Sequence, residues 1–272
     1  MAVTNLKLNN GQQIPQIGLG TWLIKDESEC KKAIKVALEA GYRHFDTAQY
    51  YANEQFVGVA IKESNIKRQD IFITTKISID NFLPSRVIPS FEKSLEKLQT
   101  DYVDLLLLHF PVTKLRHTAW KKLEEIHRSG RAKSIGVSNY TIRHLKKLLN
   151  ECEVKPAVNQ VEIHVFLQQP KLLDYCKQND IVVEAYSPLV HGRSMNNETL
   201  MAIAKKHNKS TAQIMLRWCV EQDLVVLPKS SNPGRIKENI QIFDFRLDDI
   251  DRTTLAQLDD NYHSSWDPTY VP

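Results

Sequence analysis

The chain reads as an eight-fold (β/α)8 barrel, and three observations carry that reading. Apolar, strand-like runs recur eight times along 272 residues. Amphipathic stretches at helical spacing lie between them, in units of under about 30 residues. No G-x-G-x-x-G turn follows any run, so the fingerprint of an open, doubly wound dinucleotide fold is missing; Gly18-Leu19-Gly20-Thr21-Trp22 has the wrong spacing.

Taken in order, Asn10-Gly11 supplies a positive-φ turn between two short alternating segments and predicts an N-terminal β-hairpin. The strand-like runs follow around Ile17 and at residues 42–46, 71–76, 103–110, 134–137, 158–163, 181–187 and 224–228. Helical patterns fill residues 28–40, 84–98, 118–129, 141–149 and 211–221. In the first, Ile34, Ala37 and Leu38 share a face while Lys31, Lys35 and Glu39 meet water, and Gly41 stops it. In the second, Ile88, Phe91, Leu95 and Leu98 recur at three- and four-residue steps. The units share no recurring motif, and no Pro/Gly/Ser-rich linker divides the chain, so residues 1–272 are expected to form one domain.

A net charge of +4, with basic and acidic residues interleaved, gives no nucleic-acid-binding arm and supports only a mild attraction for anionic ligands. Cys30, Cys152, Cys176 and Cys219 are scattered, without a C-x-x-C pair or His at metal-ligand spacing, so no metal site is expected. The polar start carries no secretory pattern and no run approaches ~18 apolar residues. A cytoplasmic protein with reduced thiols and no membrane partner is the expectation.

The run GYRHFDTAQYYANEQFVG, residues 41–58, places Asp46 and Tyr51 where a strand spills into a loop, before a helix opened by Asn53-Glu54. A phenol with pKa near ~10 becomes a useful proton donor at neutral pH when a cation stabilises its phenolate. Lys76, ending the next run, is the candidate cation, and His109 ends the run after that. Taken singly, each is better explained as a solvated or hydrogen-bonded strand end. In a parallel barrel successive strand ends gather on one face, and together they point to a site.

Six segments in order resemble the aldo-keto reductases over nearly the whole chain. These are residues 41–58, LLLLHFP at 105–111, GVSNY at 136–140, NQVEIH at 159–164, AYSPL at 185–189 and LPKSSNPGRIKEN at 227–239. TTKI followed by IDN, with a short tail, is most similar to the bacterial 2,5-diketogluconate and methylglyoxal reductase branch. The resemblance implies a monomeric, metal-free TIM barrel with an extra C-terminal helix, reducing carbonyls with NADP, NADPH being preferred to NADH. It implies a catalytic group of Asp46, Tyr51, Lys76 and His109, with Tyr51 and not Tyr50 at the family's offset. Asp46 would keep Lys76 charged, Lys76 would lower the Tyr51 pKa, and His109 would orient the substrate carbonyl.

The same resemblance assigns Gly20, Thr21 and Asp46 to the cofactor. Ser138, Asn139 and Gln160 would bind the nicotinamide carboxamide, and Tyr186 would stack on its ring. Ser187 and Leu189 would meet the pyrophosphate; Lys229, Ser230, Asn232 and Arg235 the 2′-phosphate; Glu238 and Asn239 the adenine. On local pattern alone Ser138-Asn139 reads as a helix N-cap. Trp22, Tyr51, His109 and Phe110 would face a small carbonyl substrate, with Ser78 opening the pocket where many relatives carry tryptophan. Two rival readings stand beside this one: a Schiff-base aldolase using Lys76, and a nicotinamide-binding sensor or structural barrel without turnover.

Overall fold

The computed structural model describes residues 3–272. An antiparallel hairpin of β1 (Asn5–Lys7) and β2 (Gln13–Pro15) comes first. Then follow β3 (Leu19–Gly20) and α1 (Glu27–Ala40), β4 (His44–Asp46) and α2 (Glu54–Glu63), β5 (Phe72–Ile77) and α3 (Pro84–Leu98). The alternation continues with β6 (Val103–Leu108) and α4 (Arg116–Arg128), β7 (Ala132–Ser138) and α5 (Ile142–Leu149), β8 (Val158–Glu162) and α6 (Pro170–Gln178). Two helices, α7 (Glu198–His207) and α8 (Thr211–Glu221), follow β9 (Val182–Tyr186). Beyond β10 (Val225–Leu227) lie α9 (Pro233–Asn239) and the extra C-terminal helix α10 (Asp249–Ala256).

Strands β3 to β10 pair in chain order, all parallel. The ring closes where the Gly18 N–H donates to Val226 O at 2.9 Å and the Gly20 N–H to Pro228 O at 3.1 Å. The expected barrel is therefore present, with its hairpin. That hairpin differs in detail: it turns through three residues, Asn9 to Gly11, and Gly11 alone carries positive φ, at +87°. A type I turn closed by a left-handed glycine meets the strand twist, so Asn10 needs no strained conformation. The run at Ile17 also shortens, Ile17 forming one bridge to Val226 before β3 begins.

Period-two alternation builds two cores. Leu8 and Ile14 of the hairpin plug the floor against inward-facing Phe72, Leu105, Leu107, Val158, Val225 and Leu227. Outward-facing Phe45, Ile73, Leu106, Leu108, Val161 and Val183 pack beneath the helices. Toward the carboxyl ends the interior changes character: His44, Asp46, Thr74, Lys76, Gln160 and Glu184 are all buried there. An apolar floor under a polar upper layer sets the site at the C-terminal mouth. The Ser138-Asn139 N-cap expectation fails, because Ser138 still belongs to β7 and Asn139 takes φ +64°; Thr141 caps α5 instead.

Candidate active site

Register brings the first pair together. Asp46 and Thr74 are cross-strand partners on β4 and β5, so Lys76, two residues further along β5, rises on the same interior face just beyond Asp46. Its Nζ donates to Asp46 Oδ1 at 2.7 Å and Oδ2 at 2.8 Å, to Thr47 O at 2.9 Å and to Tyr51 Oη at 3.2 Å. The phenol is delivered by a 3-10 turn, Gln49–Tyr51, that Ala52 ends in the left-handed conformation. Gln49 anchors that turn, its amide donating to Ser90 O and Ser94 Oγ and accepting from the Ser78 N–H. Asn53 ties the neighbouring loops, donating to Thr21 O and Ile24 O and accepting from Thr47 Oγ1. Tyr50, by contrast, is 61% exposed.

Burial lowers the affinity of Lys76 for its proton, but Asp46 and Tyr51 more than offset this and the net shift is upward. Lys76 is an ammonium. For Tyr51 the order of effects departs from expectation. Burial raises its pKa, Lys76 pulls it down, and burial wins, so the net shift is upward. Tyr51 thus rests as a protonated phenol beside a cation, ready to donate. His109 stands one residue past β6, its ring edge-on to Tyr51 at 5.6 Å between centroids. Burial, then the Lys76 charge, pushes its pKa down to about 3, so the imidazole is neutral.

A second polar group adjoins the first through Gln160, whose Nε2 donates to Asp46 Oδ2 at 2.9 Å. Ser138 Oγ donates to Gln160 O at 3.0 Å, Asn139 Nδ2 to His109 O at 3.1 Å, and Tyr186 Oη to Asn139 Oδ1 at 2.8 Å. Thr21 is buried with its N–H and hydroxyl both on Asp46 O, and Gly20 bridges to Lys229. Ser187 and Leu189 lie in the loop after β9, where Ser187, Val190 and His191 all take positive φ. Three left-handed non-glycine residues within five positions hold this loop in a strained course.

Past β10, Lys229, Asn232 and Arg235 are solvent-facing, and among the described residues neither Lys229 nor Arg235 forms an ion pair. Ser230 is buried and accepts from the Asn232 N–H, while Asn232 caps α9. Glu238 bonds to Ser210 Oγ, and Asn239 is buried. Trp22 packs on Tyr51 at 4.9 Å. Phe110 packs at 4.3 Å on Trp266 of the C-terminal segment. Ser78 is buried and lines a cavity of about 650 Å³ with Tyr50, Asp80 and Arg86.

The description "Aldo/keto reductase family" matches residues 16–260. The chain belongs to the aldo/keto reductase family. Membership makes it an oxidoreductase of the carbonyl-reducing, nicotinamide-using kind. Among its relatives, the glyoxal reductase of Bacillus subtilis (strain 168) is 44% identical, covering 94% of this chain and 93% of the relative. The methylglyoxal reductase DkgA of Escherichia coli (strain K12) is 42% identical, covering 97% of each chain. Among solved structures, the aldo-keto reductase MGS-M4 from a Medee basin deep-sea metagenome library superposes with a TM-score of 0.95 at 42% identity, covering 98% and 99%. An aldo-keto reductase complexed with NADPH does so at 0.93 and 37% identity, covering 97% of this chain and 90% of that one.

Three residues beside this aldo/keto reductase's candidate site carry no signal of their own in the sequence. Trp266 lies in a polar tail with no periodic pattern to flag it. Tyr50 stacks on Trp22 at 5.8 Å from the position next to the chosen tyrosine. Glu184 hides in an ordinary strand alternation yet stands fully buried in the polar layer.

Proposed function

We propose that the protein reduces aldehydes and ketones to alcohols with NADPH, Tyr51 giving the proton. One observation carries this reading: a single buried ammonium, Lys76, touches both oxygens of Asp46 and the Tyr51 hydroxyl. The cofactor fits the residues present. Gln160 Nε2 is held inward by carboxyl groups, which leaves its Oε1 for a carboxamide N–H. Lys229 and Arg235 are exposed cations without carboxylate partners among the described residues, suited to a 2′-phosphate. Ser187 and Leu189 lie on the strained loop that would follow the pyrophosphate, and Tyr186 offers a ring face beside Asn139.

When bound, the nicotinamide supplies hydride to the carbonyl carbon. Tyr51 gives its hydroxyl proton to the carbonyl oxygen as negative charge develops there, and Lys76 stabilises the phenolate left behind. Asp46 keeps Lys76 charged. The neutral His109 imidazole orients the carbonyl from the edge of the Tyr51 ring. The same ammonium speaks against a Schiff-base aldolase, which needs a neutral amine.

Trp22 packs on Tyr51, Tyr51 on His109, and Phe110 on Trp266, aromatic walls suited to small carbonyls, and the glyoxal and methylglyoxal reductases among the relatives support dicarbonyl substrates. Action as a monomer is part of the same proposal. Steady-state rates with glyoxal, methylglyoxal, a keto-sugar acid and a steroid ketone, each with NADPH and NADH, test the reading. Higher kcat/KM for the small dicarbonyls with NADPH is expected. A steroid ketone preferred to every small substrate would contradict the substrate assignment, and no turnover of any carbonyl would contradict the function.

A further inference from the structure

We propose that Glu184, unused in the mechanism above, is a neutral carboxylic acid that positions Gln160 and tunes the Asp46–Lys76–Tyr51 chain. The inference rests on the reduction proposed above for its kinetic consequences, but its structural half stands without it. Glu184 lies in the barrel interior on β9 as the register partner of Gln160 on β8. Gln160 Nε2 donates to Glu184 Oε2 at 2.8 Å and to Asp46 Oδ2 at 2.9 Å. A primary amide has two N–H bonds, and here each is committed to a different carboxyl group. Glu184 is therefore the second of two anchors that turn the Gln160 carbonyl toward the cofactor.

The groups around Glu184 set its charge. From β4 come His44, whose Nε2 stands 3.7 Å from Oε1, and Asp46. From β5 come Thr74, bonded to His44 Nε2 at 3.0 Å, and Lys76. Val225, its partner on β10, is apolar. Tyr51 reaches the cluster through Lys76. Burial pushes the His44 pKa down to about 3, so that ring is neutral. The layer then holds two carboxyl groups and one ammonium. Asp46 has both oxygens on Lys76, whereas Glu184 Oε1 has no hydrogen-bond partner among the described residues. An ionised carboxylate is strongly disfavoured there. Burial and the Asp46 charge push the Glu184 pKa up to about 8. At neutral pH the proton stays on Glu184 and Asp46 is the sole counter-charge of Lys76. Above that pH a second negative charge forms near Lys76 and makes Tyr51 a weaker acid.

Glu184→Gln keeps the size and an acceptor for Gln160 but cannot ionise. Infrared difference spectra of wild type against E184Q, without cofactor, should contain a buried protonated-carboxyl band at pH 7 that fades as pH passes through about 8. No such band at pH 7 overturns the neutral acid, whether or not the protein turns over a carbonyl. In pH profiles of kcat/KM for methylglyoxal reduction, the alkaline limb of E184Q should fall at a pH lower by about one unit. A purely structural role would scale the whole profile without moving the limb, and coincident limbs overturn the tuning. Glu184→Leu removes the acceptor as well, and its NADPH dissociation constant should rise about ten-fold while that of E184Q stays near wild type. Equal affinity of all three folded proteins overturns the positioning role.

Discussion

The three N–H bonds of the Lys76 ammonium are shared among four oxygens of three residues, Asp46, Thr47 and Tyr51. The place of Lys76 near the strand end was legible in the sequence, although β5 runs one residue further, to Ile77, and parallel strands gather such ends on one face. Tyr51 was legible through the resemblance, which puts the family's tyrosine at its offset from Asp46, and it is Tyr51, not Tyr50, that touches the ammonium. The resting charge of Tyr51 was not, since it depends on how deeply the phenol is buried and not on its neighbours in the chain. Glu184 was invisible for a related reason: an acidic residue in an alternating strand reads as solvent-facing, and only barrel closure turns it inward. At the cluster of Lys229 and Arg235, proposed to hold a 2′-phosphate, losing one charge-assisted contact typically costs ~1.5–3 kcal/mol. Arg235→Ala should thus weaken NADPH about ten-fold or more and NADH little, measured as dissociation constants by fluorescence titration. Equal weakening of both would place Arg235 on the adenine or the fold.

Most elements follow from amphipathic periodicity, and α3 and α8 span the residues their patterns predict. Caps explain smaller shifts. Asp26 accepts from the Glu29 N–H and starts α1 one residue before its pattern does. The turn β1–β2 is one residue longer than the Asn10-Gly11 pair suggests, because a left-handed glycine can close either a two- or a three-residue loop. Helices α6, α7, α9 and α10 carry shorter or weaker patterns that the sequence reading did not bound. One close approach is set by a single glycine. A Cβ on Gly58 of α2 would lie 2.4 Å from Lys97 O and 2.6 Å from Leu98 C at the end of α3. Backbone cannot yield as a side chain can. Gly58→Ala should therefore destabilise the protein by about 1–3 kcal/mol through separation of α2 from α3, read from denaturant midpoints. An unchanged midpoint would mean that the two helices slide freely.

At the scale of the molecule, the C-terminal segment enters the sequence analysis only as a short tail. The structure gives it an anchor. Glu162, at the end of β8, accepts from the Ser264 and Ser265 N–H groups and from Ser264 Oγ, and lies 3.2 Å from His164 Nε2. Burial opposes its ionisation, but these donors win and hold its pKa below the usual range. Trp266 is thereby held against Phe110. Glu162→Ala should release residues 263–267 and raise KM for small dicarbonyls more than it lowers kcat. Hydrogen exchange confined to that segment, together with the kinetics, checks this, and unchanged exchange would contradict the tether. All these parts serve one claim, that the barrel mouth reduces carbonyls through a Lys76-supported phenol. Tyr51→Phe tests it most directly, since it deletes the proton donor and almost no volume. Reduction of methylglyoxal should fall by ~10²–10⁴-fold with NADPH affinity nearly intact, Tyr50→Phe remaining active. A Tyr51→Phe protein that reduces methylglyoxal at the wild-type rate would contradict the account.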